Sequence, residues 1–182
     1  MRYERTVTAL RFGGLVLTGL FAGFLVTVLV FELSLRSFDG SVYTQVRQVE
    51  LDRLDVLATA LLLPAVPATA IQTATDVKAR GSAFWLTAAA LVLLLSVLVT
   101  TLVFNLPINA DQSAWNVQTP PADWASVRDR WQTAHAVRTV AAVLAFAFLS
   151  AAAMSPAHTR RPARAPAPAR EAMESDRAEA TT

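Results

Sequence analysis

The chain has no cysteine, and its 182 residues include only two histidines, His135 and His158. The absence of cysteine excludes disulfides, thiolate nucleophiles, iron–sulfur clusters and Cys-x-x-Cys redox pairs. Two histidines, one of them in a polar tail, are too few for a bis-histidine haem or a histidine-rich zinc site within one copy. Any chemistry is therefore predicted to proceed without a bound metal.

Charge is also scarce: charged residues make up 16% of the chain, against about 25% in ordinary proteins. The apolar residues form long runs, which predict membrane spans at about 12–33, 54–76, 83–104 and 134–154. Each run is close to the ~20 residues that cross a bilayer, and in lipid it must be helical. The predicted fold class is therefore all-α, a four-transmembrane-helix antiparallel bundle formed by residues 1–154. The first run is too long for a signal peptide and is expected to remain as a span.

The few charges have an uneven distribution that predicts topology. Basic residues precede the first span, separate the second from the third and follow the fourth: Arg2, Arg5, Arg11, Lys78, Arg80, Arg160, Arg161 and Arg164. The other side carries more acid than base. By the positive-inside rule, both termini are expected to be cytoplasmic in a multi-pass protein of the cytoplasmic membrane. Its surroundings are then the lipid bilayer, and no nucleic-acid partner is expected.

Two regions outside the spans carry their own predictions. Residues 155–182 are rich in Ala, Pro, Arg and Glu, which predicts a disordered cytoplasmic tail. The abundance of alanine, and of arginine over lysine, suggests a GC-rich bacterial genome. Residues 37–53 are too polar to span and predict an extra amphipathic helix that begins at Asp39-Gly40-Ser41. Its polar face, which includes Gln48 and Asp55, is either solvated or helps to roof a pocket.

The segment before the last span is expected to leave the membrane. Pro107 predicts a helix break within Asn105-Leu-Pro-Ile-Asn109, because proline disfavours helical geometry in the residue before it. Residues 105–121 are accordingly predicted to form an outward loop. Asp123 is predicted to cap the helix that follows.

That last helix carries the most informative pattern in the sequence. Its polar and aromatic residues step by 4, 3, 4 and 3 and therefore share one face: Trp124, Arg128, Trp131, His135 and Arg138. A cation that faces lipid costs about 2–3 kcal/mol or more, so this stripe is predicted to face the interior of the bundle and to line a pocket. The alternative is an interfacial belt of Trp with snorkelling Arg, which explains Trp115, Trp124 and Trp131 without a pocket.

These residues resemble the C-terminal signature of the anthrone-oxygenase-like family of small four-span membrane proteins, long catalogued as a domain of unknown function. The matching motifs are Phe104-Asn-Leu-Pro-Ile-Asn109, Trp115, Asp123-Trp124, Arg128-x-x-Trp131 and His135-x-x-Arg138. The resemblance covers about residues 13–154 and is weaker at the Gly-rich first span and around Gln48. It implies cofactor-independent oxidation of a small lipophilic, anthrone-like aromatic by molecular oxygen.

The resemblance and the chemistry together suggest a role for each candidate residue. His135 is the hypothesised base, and Arg138 and Arg128 stabilise the enolate that deprotonation leaves. Asn105 and Asn109 orient the carbonyl, Trp115, Trp124 and Trp131 contact the flat substrate, and Gln48 and Asp55 lie above it. The alternative is a non-enzymatic membrane protein that binds a lipophilic ligand or a partner membrane protein.

Overall fold

The computed structural model describes residues 2–77 and 81–155, which form long helices joined by short connections. The helices are α1 (Arg2–Ser34), α2 (Gly40–Asp76), α3 (Ser82–Thr100), α4 (Leu106–Ser113) and α5 (Trp124–Met154). Four helical stretches are long and apolar enough to cross a membrane, with α3 and α4 together forming the third. The prediction of an all-α, four-span fold is confirmed. The predicted tail, like the basic residues Lys78 and Arg80, lies outside the described residues.

The four spanning stretches form a closed ring. Helix α1 packs against α2 and α5, and α3 packs against the same two helices from the opposite side. Apolar side chains from all four fill the middle of the ring, among them Phe21, Leu62, Leu94 and Leu149. Because lipid removes the hydrophobic driving force between helices, close packing and buried polar contacts must hold such a ring together.

The predicted amphipathic helix is not a separate element. Helix α2 runs without interruption from Gly40 to Asp76, so the amphipathic segment extends the second span beyond its apolar part. Asp39 begins the helix as predicted, since its Oδ1 accepts a hydrogen bond from the backbone N–H of Val42 at 3.0 Å. The helix also continues through Pro64 and Pro67.

The helix break predicted at Pro107 is wrong. One wide π turn, Thr101–Asn105, joins α3 directly to α4, and Leu106 keeps helical geometry. In this turn the N–H of Leu106 donates to the carbonyl of Thr101, five residues back. Proline normally clashes with the carbonyl four residues before it, and the wider turn relieves that clash without ending the helix. Residues 106–113 of the predicted loop are therefore helical.

The predicted cap of α5 is also wrong. Asp123 occupies the position before the helix, but its side chain makes no capping hydrogen bond. Its backbone is not in the extended conformation that directs a capping side chain toward the first turn. The helix start is held instead by backbone bonds, from Trp124 N–H to the Pro121 carbonyl and from Val127 N–H to the Asp123 carbonyl.

A testable consequence concerns two glycines in α1. A Cβ added at Gly19 would lie 2.8 Å from the ring of Phe146 on α5, whereas one added at Gly23 would meet nothing within 4 Å. We expect Gly19→Leu to destabilise the bundle by about 1–3 kcal/mol through overpacking. The matched Gly23→Leu variant should be neutral or slightly stabilising, because it removes glycine from a helix interior. Thermal unfolding in detergent measures both, and equal midpoints would contradict the packing.

Candidate functional site

The stripe on α5 divides into a buried part and an outer part. Trp131, His135 and Arg138 are 1%, 0% and 8% exposed, so they face the interior of the ring. Trp124 and Arg128, nearer the start of the helix, are only half-buried. This buried part of the predicted face contacts polar groups of α1, α2, α4 and the π turn that follows α3.

Arg47 of α2 is the centre of these buried contacts, although the sequence patterns did not single it out. Its Nε donates to Gln112 Oε1 at 2.9 Å and its Nη2 to Asn109 Oδ1 at 2.7 Å. Its Nη1 lies 2.8 Å from Glu50 Oε2 and 3.3 Å from Glu32 Oε1. One guanidinium therefore ties α1, α2 and α4 together in a region that is closed to solvent.

Further hydrogen bonds extend this cluster in two directions. Tyr43 OH accepts from Gln112 Nε2 at 3.1 Å. On the other side Gln132 Nε2 donates to the backbone carbonyl of Glu32 at 2.7 Å, and Gln132 Oε1 accepts from Arg36 Nε at 2.7 Å. Helices α1, α2, α4 and α5 each contribute a side chain to this cluster. The π turn that follows α3 takes part through Thr101, whose Oγ1 accepts a hydrogen bond from Arg138 Nη1.

The indole of Trp131 is fully engaged within the protein. Its Nε1 donates to Asn109 Oδ1 at 2.7 Å, and the Arg47 guanidinium carbon lies 3.9 Å from its ring centre. The His135 ring stacks on it at 4.7 Å with an interplanar angle of 10°. Asn109 is equally occupied, because its Nδ2 donates to Asp55 Oδ2 at 3.1 Å. In this arrangement Trp131 and Asn109 hold α2, α4 and α5 together through these contacts.

His135 and Arg138 form a direct pair. Arg138 Nε and Nη2 lie 3.0 and 2.8 Å from His135 Nδ1, so this nitrogen must be an acceptor. The proton of the neutral imidazole is then on Nε2, which donates to the Leu25 carbonyl at 3.0 Å. Arg138 Nη1 also donates to Thr101 Oγ1 at 3.2 Å. Within the described ranges no carboxylate lies in ion-pairing distance of Arg138, so its charge is balanced only by neutral acceptors.

Among the described residues of the site, Asn105 is the side chain with no hydrogen bond at all, while Glu32 and Glu50 each have one oxygen without a hydrogen bond. It is fully buried at the end of the π turn, and neither its Nδ2 nor its Oδ1 has a hydrogen-bond partner. The two neighbouring turns of its helix are both bonded to α5, through Thr101 to Arg138 and through Asn109 to Trp131. Since α3–α4 and α5 run antiparallel, this register puts Asn105 level with His135.

The remaining predicted site residues belong to an outer cap. Trp115 packs with Leu35, Tyr43 and Val127, and Trp124 packs against this group. Arg128 donates to Asp129 and lies over the Trp124 ring at 5.0 Å, away from the His135–Arg138 pair. Gln48 Nε2 donates to the Trp115 carbonyl at 2.8 Å and thereby fastens the chain after α4. The structure does not bring Arg128, Trp115, Trp124 or Gln48 into contact with His135 or Arg138.

The residues that sequence reasoning missed are Glu32, Tyr43, Arg47, Glu50 and Gln112. A signal was present in α2: Tyr43, Arg47 and Glu50 step by 4 and 3, which is the same one-face spacing as the stripe on α5. Val42 and Val49 are exposed at 38% and 62%, together with Gln45 and Asp52, whereas Val46 packs against the cluster around Leu35 and Tyr43. The charged residues Arg47 and Glu50 of this segment therefore lie inside, while its outer side carries both valines and polar side chains.

A separate groove runs along the outer side of the contact between α3–α4 and α5. Its volume is about 870 Å³, and its apolar wall includes Val103, Phe104 and Pro107 on one side and Ala134 and Val137 on the other. Asp111, Asp129 and Arg130 lie at one end. Phe104 and Ala134 directly precede Asn105 and His135, so the groove and the buried cluster lie on opposite sides of the same helix–helix contact.

The fold and these contacts define a four-span helical membrane protein whose interior holds a polar cluster around two arginines and a histidine. Residues 52–148, more than half of the chain, match the family model described as anthrone oxygenase. The chain belongs to this family. The match includes Asn105, His135 and Arg138 but begins after Glu32, Arg47 and Glu50. No curated protein and no solved structure matches the chain.

The importance of Arg47 can be measured. Arg47→Met leaves two buried carboxylates without their cation, and breaking a buried pair in this way costs about 3–5 kcal/mol. We expect a large loss of unfolding free energy in detergent. Adding Glu32→Gln and Glu50→Gln removes the orphaned charges and should recover a substantial part of the loss. An Arg47→Met protein as stable as the wild type would contradict the central role of this guanidinium.

Proposed function

We propose that this protein oxidises a lipophilic, anthrone-like aromatic with molecular oxygen, without a cofactor, inside its helical bundle. Membership of the anthrone oxygenase family supports the reaction class. The observation that carries the site is the unpaired Asn105 amide beside the His135–Arg138 pair. We further propose that the protein lies in the cytoplasmic membrane with both termini cytoplasmic, so that this site is nearer the outer face.

The buried unpaired amide supports a binding role because it is costly without a ligand. Leaving a buried polar group unsatisfied costs about 1–3 kcal/mol, and native proteins retain few such groups. Burial of the Arg138 charge also costs free energy, because no carboxylate in the described part of the chain pairs with it. A ligand oxygen placed between Asn105 Nδ2 and Arg138 satisfies both groups. The substrate carbonyl is such an oxygen.

The first step is proton transfer. The substrate carbonyl accepts hydrogen bonds from Arg138 and Asn105, and Arg138 thereby withdraws donors from His135 Nδ1. The freed Nδ1 takes a proton from the acidic methylene group, and the C–H electron pair becomes part of an enolate. Arg138 and Asn105 stabilise the negative oxygen in a site closed to water, where such donors act most strongly.

The enolate then reacts with oxygen. One electron passes from the enolate to O₂, and the resulting carbon radical and superoxide combine to form a C–O bond. The peroxide anion takes the proton from the His135 imidazolium. Loss of the remaining C–H proton expels hydroxide from the O–O bond, which leaves a new carbonyl, and the proton and hydroxide form water. In sum, one methylene group and one O₂ give one carbonyl and one water.

The second candidate function is binding of a lipophile without chemistry. The groove between α3–α4 and α5 favours it, because this apolar surface could hold a ligand without any contribution from His135. Oxygen uptake separates the two candidates. A pure binder takes up a tricyclic aromatic but consumes no oxygen with any anthrone.

The proton-transfer role predicts a large effect of two substitutions. We expect His135→Ala and Arg138→Ala to lower anthrone turnover by about 10²-fold or more, as is typical when a general base or an oxyanion donor is lost. Oxygen uptake by purified protein in detergent measures the rate, with the exposed Arg53→Gln variant as the control. Unchanged turnover in both alanine variants would remove the assignment.

Asn105 gives a prediction in which stability and activity move in opposite directions. Asn105→Leu replaces an unpaired buried amide by an apolar side chain of similar size. We expect the unfolding midpoint to stay the same or rise, while anthrone turnover falls by about 10²-fold. A purely structural asparagine would instead lose stability, and a residue without a role would leave turnover unchanged. Either result would contradict a carbonyl-binding role.

A further inference from the structure

We propose that the groove between α3–α4 and α5 is the entrance and docking site for the substrate, and that it takes a planar aromatic with an ionised oxygen at one end. This inference rests on the proposed function and adds the substrate class and the route of entry. The groove is large enough, since small-molecule sites commonly measure about 300–1,000 Å³. It opens on the outside of the bundle, so a lipophile dissolved in the bilayer reaches it without crossing water.

The composition of the groove specifies the ligand. Val103, Phe104, Pro107 and Val137 offer an apolar wall with one aromatic ring, which suits a flat hydrocarbon body. At the charged end, Asp129 is already paired with Arg36 and Arg128, and Asp111 Oδ2 accepts from Trp115 Nε1 at 3.3 Å. Arg130 is exposed and makes no hydrogen bond or ion pair within residues 2–77 and 81–155. This free guanidinium complements a phenolate or carboxylate at one end of the ligand.

The position of the groove relative to the buried cluster supports its role as an entrance. The π turn contributes Val103 and Phe104 to the groove and Thr101 and Asn105 to the interior. Across the contact, Ala134 lines the groove and His135 lies behind it. Only the contact between the π turn and α5 separates a ligand docked in the groove from the unpaired Asn105. π turns inside helices are rare and occur frequently at functional sites, and the proposed opening lies at this least regular part of the helix.

Two valines on α5 provide a matched test of the groove. Val137 lines it and is 58% exposed, whereas Val140 is 59% exposed and lies outside it. The probe is anthraquinone-2-carboxylate, measured by equilibrium dialysis against protein in lipid nanodiscs, with empty nanodiscs as background. We expect Val137→Trp to weaken binding about tenfold or more, the scale of a lost contact in a filled site. Val140→Trp should bind as the wild type does. Equal affinities of the two variants would overturn the proposal.

The role of Arg130 is tested with a second pair of probes. Arg130→Gln should weaken binding of anthraquinone-2-carboxylate by roughly tenfold, as expected for a lost charged hydrogen bond. Binding of uncharged anthraquinone should be unchanged, and Arg53→Gln should alter neither. Equal loss for both probes, or for neither, would overturn the ligand class. So would Val137-dependent binding of a fluorescent fatty acid together with no binding of either anthraquinone.

The same protein samples distinguish this proposal from the proposed function. If the wild type consumes no oxygen with anthrones but binds the probe in a Val137-dependent way, the oxidase function fails and the docking site stands. If anthrones are oxidised equally well by wild type, Val137→Trp and Val140→Trp, the groove is not the entrance and the oxidase function stands.

Discussion

The burial of the Arg47 guanidinium is the interaction on which the outer half of the bundle depends. A cation taken out of water costs several kcal/mol unless paired and hydrogen-bonded, so every group around it is constrained. Glu32, Glu50, Asn109 and Gln112 meet this requirement from three different helices. Because each must reach the same guanidinium, the heights and rotations of α1, α2 and α4 are set together. Trp131 then lies against the guanidinium and positions His135 by stacking.

The layer around Arg47 has several hydrogen bonds and ion pairs, although Glu32 Oε1 and Glu50 Oε1 lack a hydrogen bond, and the neighbouring layer has fewer. Arg138 bonds only to a histidine nitrogen and a threonine hydroxyl, and Asn105 bonds to nothing. Both groups lie beside a π turn, where the helix departs from regular geometry. Unsatisfied polar groups and irregular helix turns are costs that a protein retains where a ligand or a movement uses them. The layer around Arg47 therefore holds the helices together, and the layer around Arg138 is the one to which we assign binding in the proposed function.

Much of the fold followed from the sequence because hydrocarbon leaves few alternatives. Apolar runs of span length must be helices, and the one-face spacing of Trp131, His135 and Arg138 correctly indicated an interior position. The helix break predicted at Pro107 is wrong because the prediction assumes a regular α-helix. A wider turn accommodates this proline within the span. Arg128 and Trp124 share the face of His135 but lie at another height, and spacing alone does not say which partners exist there. Arg128 donates to Asp129 instead, and the Trp124 ring lies beside that of Tyr43.

Arg47, Glu32 and Glu50 illustrate why the rest of the site was not predictable. In a helix of a soluble protein, charged residues among valines indicate the solvent-exposed face, and the valines indicate the buried face. Here Arg47 and Glu50 lie inside although Val42 and Val49 lie outside, and three charges from two helices meet only once the bundle has closed. The Glu32–Arg47 pair is a tertiary contact between α1 and α2, across 15 positions of the sequence. No local spacing records it.

The central claim is that a substrate carbonyl binds between Arg138 and Asn105. The most direct measurement is the infrared carbonyl stretch of ¹³C-labelled anthraquinone bound to the protein in nanodiscs, compared with the same molecule in empty nanodiscs. Two strong donors should shift one carbonyl band to lower frequency, and the shift should shrink in Asn105→Leu. A bound carbonyl that absorbs at its lipid frequency, or a shift that Asn105→Leu leaves unchanged, would contradict the claim.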